Sequence, residues 1–159
     1  MASRDDFTDA EWQVLATAPE AVGLAVLAAD PVGAVEERTA MFEAWRRSAE
    51  QPFADNQLVL TLIRNRDAWG EEMRLRTSRE EALSSLPPDE TRAWAMDQCR
   101  QAMALLEAKG APEDCESYGR WIVYLAENVA EAVWSGRSRV DPAERAVIDE
   151  VAAVLKLQR

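Results

Sequence analysis

The side chains of this sequence that are best able to do chemistry are its carboxylates. Asp30 lies in a turn, and Glu36 and Glu37 follow at the start of the next predicted helix. A hard divalent cation such as Ca²⁺ or Mg²⁺ takes several oxygen ligands, which makes these three residues the candidate metal ligands. The alternative is structural, because Asp30 also ends a helix and the two glutamates complement the positive end of the next helix dipole. The spacing does not match an EF-hand loop.

The chain has few residues that are suited to other kinds of catalytic chemistry. The chain contains no histidine, which excludes histidine-based triads and histidine-based metal sites. It contains neither a G-x-G-x-x-G fingerprint nor a Walker A loop. A second acidic cluster, Glu113, Asp114 and Glu116, falls in a first helical turn, where acids complement the dipole. We therefore assign no catalytic residue and no cofactor, while an enzyme with Asp/Glu acid–base chemistry stays an alternative.

Length and composition favour a single soluble domain, residues 1–159. Hydrophobic residues make up 48% of the chain and charged residues 30%, as in globular proteins. Acidic side chains outnumber basic ones 29 to 18, and the net charge of -11 opposes binding to nucleic acid and to anionic membranes. The longest apolar stretch, 21–29, is too short for a membrane span, and the N-terminal residues have no signal-peptide core. We expect a cytoplasmic protein.

The two cysteines, Cys99 and Cys115, are too few for a disulfide framework. If a helical hairpin turns near Gly110, they are displaced by roughly 10 Å along the helix axis, which is beyond the reach of a disulfide. We expect both to be free and to behave as small buried apolar residues.

The start of the first helix carries two local signals. Thr8 and Glu11 form a T-x-x-E capping box, in which each side chain accepts a hydrogen bond from a free backbone N–H of the first turn. Phe7 and Trp12 occupy the two positions of a hydrophobic staple around it. The sequence therefore predicts a helix that begins directly after Thr8.

Pro19 is predicted to end this first helix, or to kink it, near Ala18, because proline lacks a backbone N–H and its ring crowds the preceding turn. The run that follows, 21–29, is apolar on every face. A helix of that kind is buried on all sides, so this segment is predicted to be the central helix of the fold.

Further helices follow with short connections between them. Their predicted ranges are 34–50, about 55–74, 78–86, 88–109, 112–135 and a last helix from Pro142. Apolar residues recur in them with a helical period, and prolines and glycines separate them. The sequence thus predicts an all-α fold, a compact bundle of about seven helices.

Two segments of the chain form a weak internal repeat. The segments that start at Leu15 and Trp121 resemble each other, and two such helical hairpins could pack about a pseudo-two-fold axis, although convergence explains the likeness equally well.

Six tryptophans are spread along the chain, which is typical of anchors of one common core. The alternative, an aromatic surface groove, needs at least two of them exposed side by side.

The run LAVLAADPVGAVEE, residues 24–37, is similar to the signature of the TerB-like helical family, which is associated with tellurite resistance. In that signature a helix ends in an alanine-rich turn with an aspartate, and a glutamate opens the next helix. The matching positions are Asp30 and Glu36 or Glu37, with the tetrapeptide DPVG where the family has an Asp-Gly turn. The resemblance implies an all-α fold and cation binding at these acids.

Three hypotheses for function follow. The absence of a catalytic motif favours a non-enzymatic protein-interaction or accessory module, with another protein or a second copy of the chain as its partner. An exposed apolar patch that includes a tryptophan would support this hypothesis. The alternatives are a carboxylate-based Ca²⁺ or Mg²⁺ binder at Asp30, Glu36 and Glu37, and an enzyme with a desolvated carboxylate in a deep pocket.

Overall fold

The computed structural model describes residues 3–29, 56–67, 87–110, 112–131 and 142–157, apart from the side chains of residues 27, 64–67 and 131. These residues are helical and include no β-strand, which confirms the all-α prediction. A short 3₁₀ helix precedes five α-helices. They are Arg4–Asp6 (3₁₀), Asp9–Ala29 (α1), Gln57–Asp67 (α2), Pro88–Lys109 (α3), Pro112–Glu131 (α4) and Pro142–Val154 (α5).

The predicted total of about seven helices includes two that lie outside the described residues, 34–50 and 78–86. The turn at Asp30 and the second helix of the first predicted hairpin lie there as well. The pseudo-repeat of two hairpins therefore stays a prediction. No helix within the described ranges is both long enough and apolar enough to cross a membrane.

The predicted start of α1 is confirmed in detail. The backbone N–H of Thr8 donates to Oε1 of Glu11 at 2.9 Å, and the N–H of Glu11 donates to Oγ1 of Thr8 at 3.2 Å. The rings of Phe7 and Trp12 pack with their centroids 6.0 Å apart. Both rings are buried, so the cap and the staple attach the first turn of α1 to the core.

Of the two predicted effects of Pro19, the end of the helix is wrong, because α1 continues through it to Ala29, and the kink stays a prediction. In an α-helix the carbonyl of Leu15 would accept from the N–H of residue 19, and proline has none. The hydroxyl of Tyr118, on α4, donates to this carbonyl oxygen at 2.7 Å instead. Tyr118 is fully buried, so it satisfies a carbonyl that water does not reach. The Tyr118 hydroxyl thus supplies the hydrogen bond that the proline cannot donate to the Leu15 carbonyl.

Helix α1 is the central element of the described fold, because it contacts α3, α4 and α5, whereas α2 packs on α4. In its second half, residues 21–26 are buried, as the apolar run 21–29 predicts, and Ala28 and Ala29 are half-buried. The predicted stripes of the other helices also face the core. Their buried members are Leu58, Val59, Leu62, Ile63, Ala95, Cys99, Ala102, Met103, Leu106, Tyr118, Ile122, Leu125, Val129, Val147, Ile148, Val151 and Leu155.

Three of the helices begin with proline, namely α3 at Pro88, α4 at Pro112 and α5 at Pro142. Proline suits this position because its fixed φ is helical and its missing N–H would have no partner in the first turn. Helix α3 ends where Lys109 and Gly110 predict, and the N–H of Gly110 donates to the carbonyl of Leu106 at 2.7 Å.

A first prediction concerns the bond between Tyr118 and α1. Tyr118→Phe should lower the free energy of unfolding by about 1 to 3 kcal/mol, because the Leu15 carbonyl is left buried and unpaired. In a Pro19→Ala background the new N–H at position 19 supplies the missing donor, so the same substitution should cost at least about 1 kcal/mol less. Denaturant unfolding of the four proteins measures this coupling. An equal cost in both backgrounds would contradict it.

A second prediction concerns the contact between the N-terminal turn and α3. Nζ of Lys109 lies 2.7 Å from Oε1 of Glu11 and 3.1 Å from the carbonyl oxygen of Asp6. The hydrogen bond from Lys109, followed by that from the Thr8 N–H, lowers the pKa of Glu11 from its ordinary 4.5 to about 2. A lowered folded-state pKa stabilises the fold above pH 4.5, and that contribution disappears as the pH falls from 4.5 to 2.

Thermal unfolding in steps between pH 4.5 and pH 2 tests this linkage. Lys109→Met should make the loss of stability over this range less steep, because it removes the largest cause of the lowered pKa. Glu11→Gln should have the same effect, and combining the two substitutions should add nothing further. If stability fell with pH as steeply in both single variants as in the wild type, the contact between Lys109 and Glu11 would not be the cause of the pH dependence.

Candidate functional site

A groove of about 760 Å³ runs along the outer side of α4, and we call it the α4 groove. Seven residues of α4 between Pro112 and Glu127 line it. One wall comes from the end of α3, with Met103 and Glu107, and the other comes from residues 155–157, which follow α5. Its volume is in the range of pockets that bind ligands or partner side chains.

The floor of the α4 groove is apolar. Met103, Val123 and Leu155 are buried there, and the half-buried Tyr124 and Leu157 continue the apolar surface toward solvent. Apolar surface in a recess gains most when a second apolar surface replaces water on it. The floor therefore provides a favourable place for a bound apolar side chain.

Ion pairs line the rim of the α4 groove. Glu116 and Arg120 lie one turn apart on α4, with 2.6 Å between carboxylate and guanidinium. Glu107 on α3 pairs with Lys156 across the groove. Glu127 lies farther from its cation, with 3.8 Å to Arg145. The lining thus holds three carboxylates and two cations, a net charge of -1.

Residues 155–157 form a tight cap on the end of α5, and we call them the strap. The N–H of Lys156 donates to the carbonyl of Ala153 at 3.1 Å, and the N–H of Leu157 donates to the carbonyl of Ala152 at 2.9 Å. This is the Schellman pattern, which places one residue in the left-handed region. Here that residue is Lys156, with φ of 59°, at a position where a residue other than glycine costs about 1 kcal/mol.

The strap lies against Gly119 in the middle of α4. A Cβ built on Gly119 would come within 3.3 Å of Cδ2 of Leu157 and 3.5 Å of Cβ of Leu155. Glycine inside a helix costs about 1 kcal/mol relative to alanine, so its presence here needs a reason. The close approach of the strap supplies one.

Cys115 also lines the α4 groove, one turn before Gly119. Burial, followed by the charge of Glu107, raises the pKa of its thiol, while Lys156 lies near enough to lower it slightly. Burial raises the pKa of the Cys99 thiol to about 12. Both cysteines are free, as predicted, and Cys99 is buried whereas Cys115 is half-buried. Thiols with raised pKa values are poor nucleophiles at neutral pH.

The sequence-predicted metal ligands, Asp30, Glu36 and Glu37, lie outside the described residues, so the cation site stays a prediction. Among the residues that the structure does describe, no three His, Cys, Asp or Glu side chains are grouped to hold a metal ion. In the second acidic cluster, Asp114 is buried at the start of α4 and Glu116 points to the rim of the α4 groove.

The described tryptophans support the core-anchor interpretation. Trp12 and Trp121 are buried, and the half-buried Trp94 packs against the same core.

Sequence reasoning missed the α4 groove, because three separate elements form it. Gly119, a glycine inside an apolar helical stripe, was the one signal that could have indicated a close backbone approach.

A third prediction concerns the contact between the strap and Gly119. Gly119→Ala should leave the free energy of unfolding within about 1 kcal/mol of the native value, because the gain in helix propensity offsets the crowding of Leu157. The strap should nevertheless loosen, since Cδ2 of Leu157 must move away from the new methyl group. A maleimide should then label Cys115 faster, with the buried Cys99 as an internal reference. Unchanged labelling of Cys115 would contradict the proposed contact.

The chain matches no protein-family model, no curated protein and no solved structure. The resemblance of residues 24–37 to the TerB-like family therefore stays a prediction. The geometry of the α4 groove is the basis for any functional conclusion.

Proposed function

We propose that this protein is a non-catalytic interaction module and that the α4 groove is the surface that binds its protein partner. The observation that carries the proposal is the apolar floor of the groove, which is flanked by ion pairs and recessed between α4, the end of α3 and the strap. We also propose that the whole chain forms one compact bundle of about seven helices and works in the cytoplasm.

The directions of the pKa shifts support binding rather than acid–base catalysis. A catalytic acid or base works best with a pKa near the working pH. Five described groups have a shifted pKa that moves away from neutral pH, downward for one carboxyl and upward for two thiols, a phenol and an ammonium. These groups are Glu11, Cys99, Cys115, Tyr118 and Lys156.

The length of the α4 groove supports a protein partner rather than a compact metabolite. Its α4 side extends from Pro112 to Glu127, which is roughly 22 Å at a rise of about 1.5 Å per residue. A small metabolite would fill only part of that length. A helix of four turns matches it, and a helix bound in an apolar groove is a common mode of recognition.

A fourth prediction tests whether the groove is the binding surface. The double substitution Glu116→Arg with Arg120→Glu keeps the net charge and the ion pair on α4, but it reverses the charge pattern of the rim. A matched control, Arg92→Glu with Glu150→Arg, reverses an ion pair between α3 and α5 that does not line the groove. Each tagged protein is used to capture partners from a native lysate of its source cells.

Wild type and the control should retain the same partners, and the rim variant should lose at least one of them. Circular dichroism and sedimentation establish that all three proteins are equally folded and have the same oligomeric state. Identical sets of captured proteins for all three, or no capture above bare resin, would contradict the proposed function.

A further inference from the structure

The strap forms one wall of the α4 groove, and it contributes one basic and one apolar side chain from residues 156 and 157. Lys156 directs its ammonium to the carboxylate of Glu107, and Leu157 packs against the backbone of Gly119, which is buried. The chain thus shows which side chains this part of the groove accepts, an apolar one on its floor and a cation at its rim.

The side chains of residues 156 and 157 are attached to the groove less firmly than that of Leu155. The side chains of Lys156 and Glu107 are 68% and 48% exposed, and ion pairs in water contribute little stability. Lys156 occupies the left-handed backbone region that glycine favours. Leu155 is buried and anchors the strap, whereas Leu157 is only half-buried. Release of residues 156 and 157 would break their two capping hydrogen bonds to α5, but it would leave the buried Leu155 in place.

Charge also favours a basic occupant. Each of the three carboxylates that line the groove has a cation near it, which is Arg120, Lys156 or, at 3.8 Å and outside the lining, Arg145. When the strap leaves, Glu107 loses its cation and the rim becomes more negative. The chain as a whole carries -11, which attracts a basic segment and repels an acidic one.

We infer that the α4 groove binds a basic amphipathic helix of a partner protein, and that Lys156 and Leu157 are an intramolecular placeholder that this helix displaces. An apolar side chain of the partner replaces Leu157 beside Gly119, and a Lys or Arg of the partner replaces Lys156 at Glu107. This inference rests on the proposed function of the groove, and it adds the chemistry of the partner and an autoinhibitory contact.

The test uses two labelled model peptides of about 14 residues, which is four helical turns. One is an amphipathic helix of Leu and Lys, and the other has Glu in place of each Lys. Fluorescence anisotropy measures their binding to the full chain at physiological salt, where long-range attraction is screened. The Leu/Lys peptide should bind at least about tenfold more tightly than the Leu/Glu peptide.

The placeholder is tested with Lys156→Ser combined with Leu157→Ser. This variant should bind the Leu/Lys peptide at least about threefold more tightly than wild type, because no strap must be displaced. In the same background, Glu107→Gln should weaken binding by at least about fivefold. Glu90→Gln removes the same charge at the other end of α3, roughly 25 Å away, and should change binding by less than about twofold.

Equal affinity for both peptides would overturn the basic chemistry of the partner. Equal weakening by Glu107→Gln and Glu90→Gln would mean that net charge alone attracts the peptide, and would overturn the site. Unchanged affinity after removal of the placeholder would overturn the autoinhibitory contact. The capture experiment with the rim variant tests the proposed function separately. If the rim variant still loses a partner while the peptides give these results, the groove remains the binding surface and only the proposed chemistry of the partner is wrong.

Discussion

The hydrogen bond from Tyr118 to the carbonyl of Leu15 is the interaction on which the rest of the structure depends. Pro19 lies inside the central helix and removes the donor that this buried carbonyl would otherwise have. A hydroxyl from α4 replaces this donor, and α1 is continuous where α4 lies against it. The bond joins residues 103 positions apart and thereby sets the position of α4 in the core.

The same turn of α4 connects the core to the groove. Tyr118 faces α1, and the next residue, Gly119, faces the strap. Because consecutive helical residues point about 100° apart, a helix fixed at Tyr118 also presents Gly119 at a fixed place, about 100° around the helix from the core contact. The core contact thus determines where Leu157 and Lys156 lie, and with them the end of the groove that we assign to the partner.

The sequence was informative wherever the physics is local. The cap at Thr8, the staple at Trp12, the helix that begins at Pro88 and the end at Gly110 all depend on neighbouring residues, and each is confirmed. The sequence left open whether Pro19 ends or kinks α1, because the donor that replaces its missing N–H lies on another helix. The groove was missed because a left-handed Lys156 has no local signal and because three elements form its walls. The acids at 30, 36 and 37 lie outside the described residues, so the cation prediction is untested.

Hydrogen exchange followed by mass spectrometry tests the central claim most directly. The amides of α1 on both sides of Pro19, in fragments covering 9–18 and 20–29, should exchange together and as slowly as those of α3, because one continuous helix opens only with the core. Two separate exchange phases, with either fragment much faster than α3, would mean that the proline divides the helix and would contradict the account.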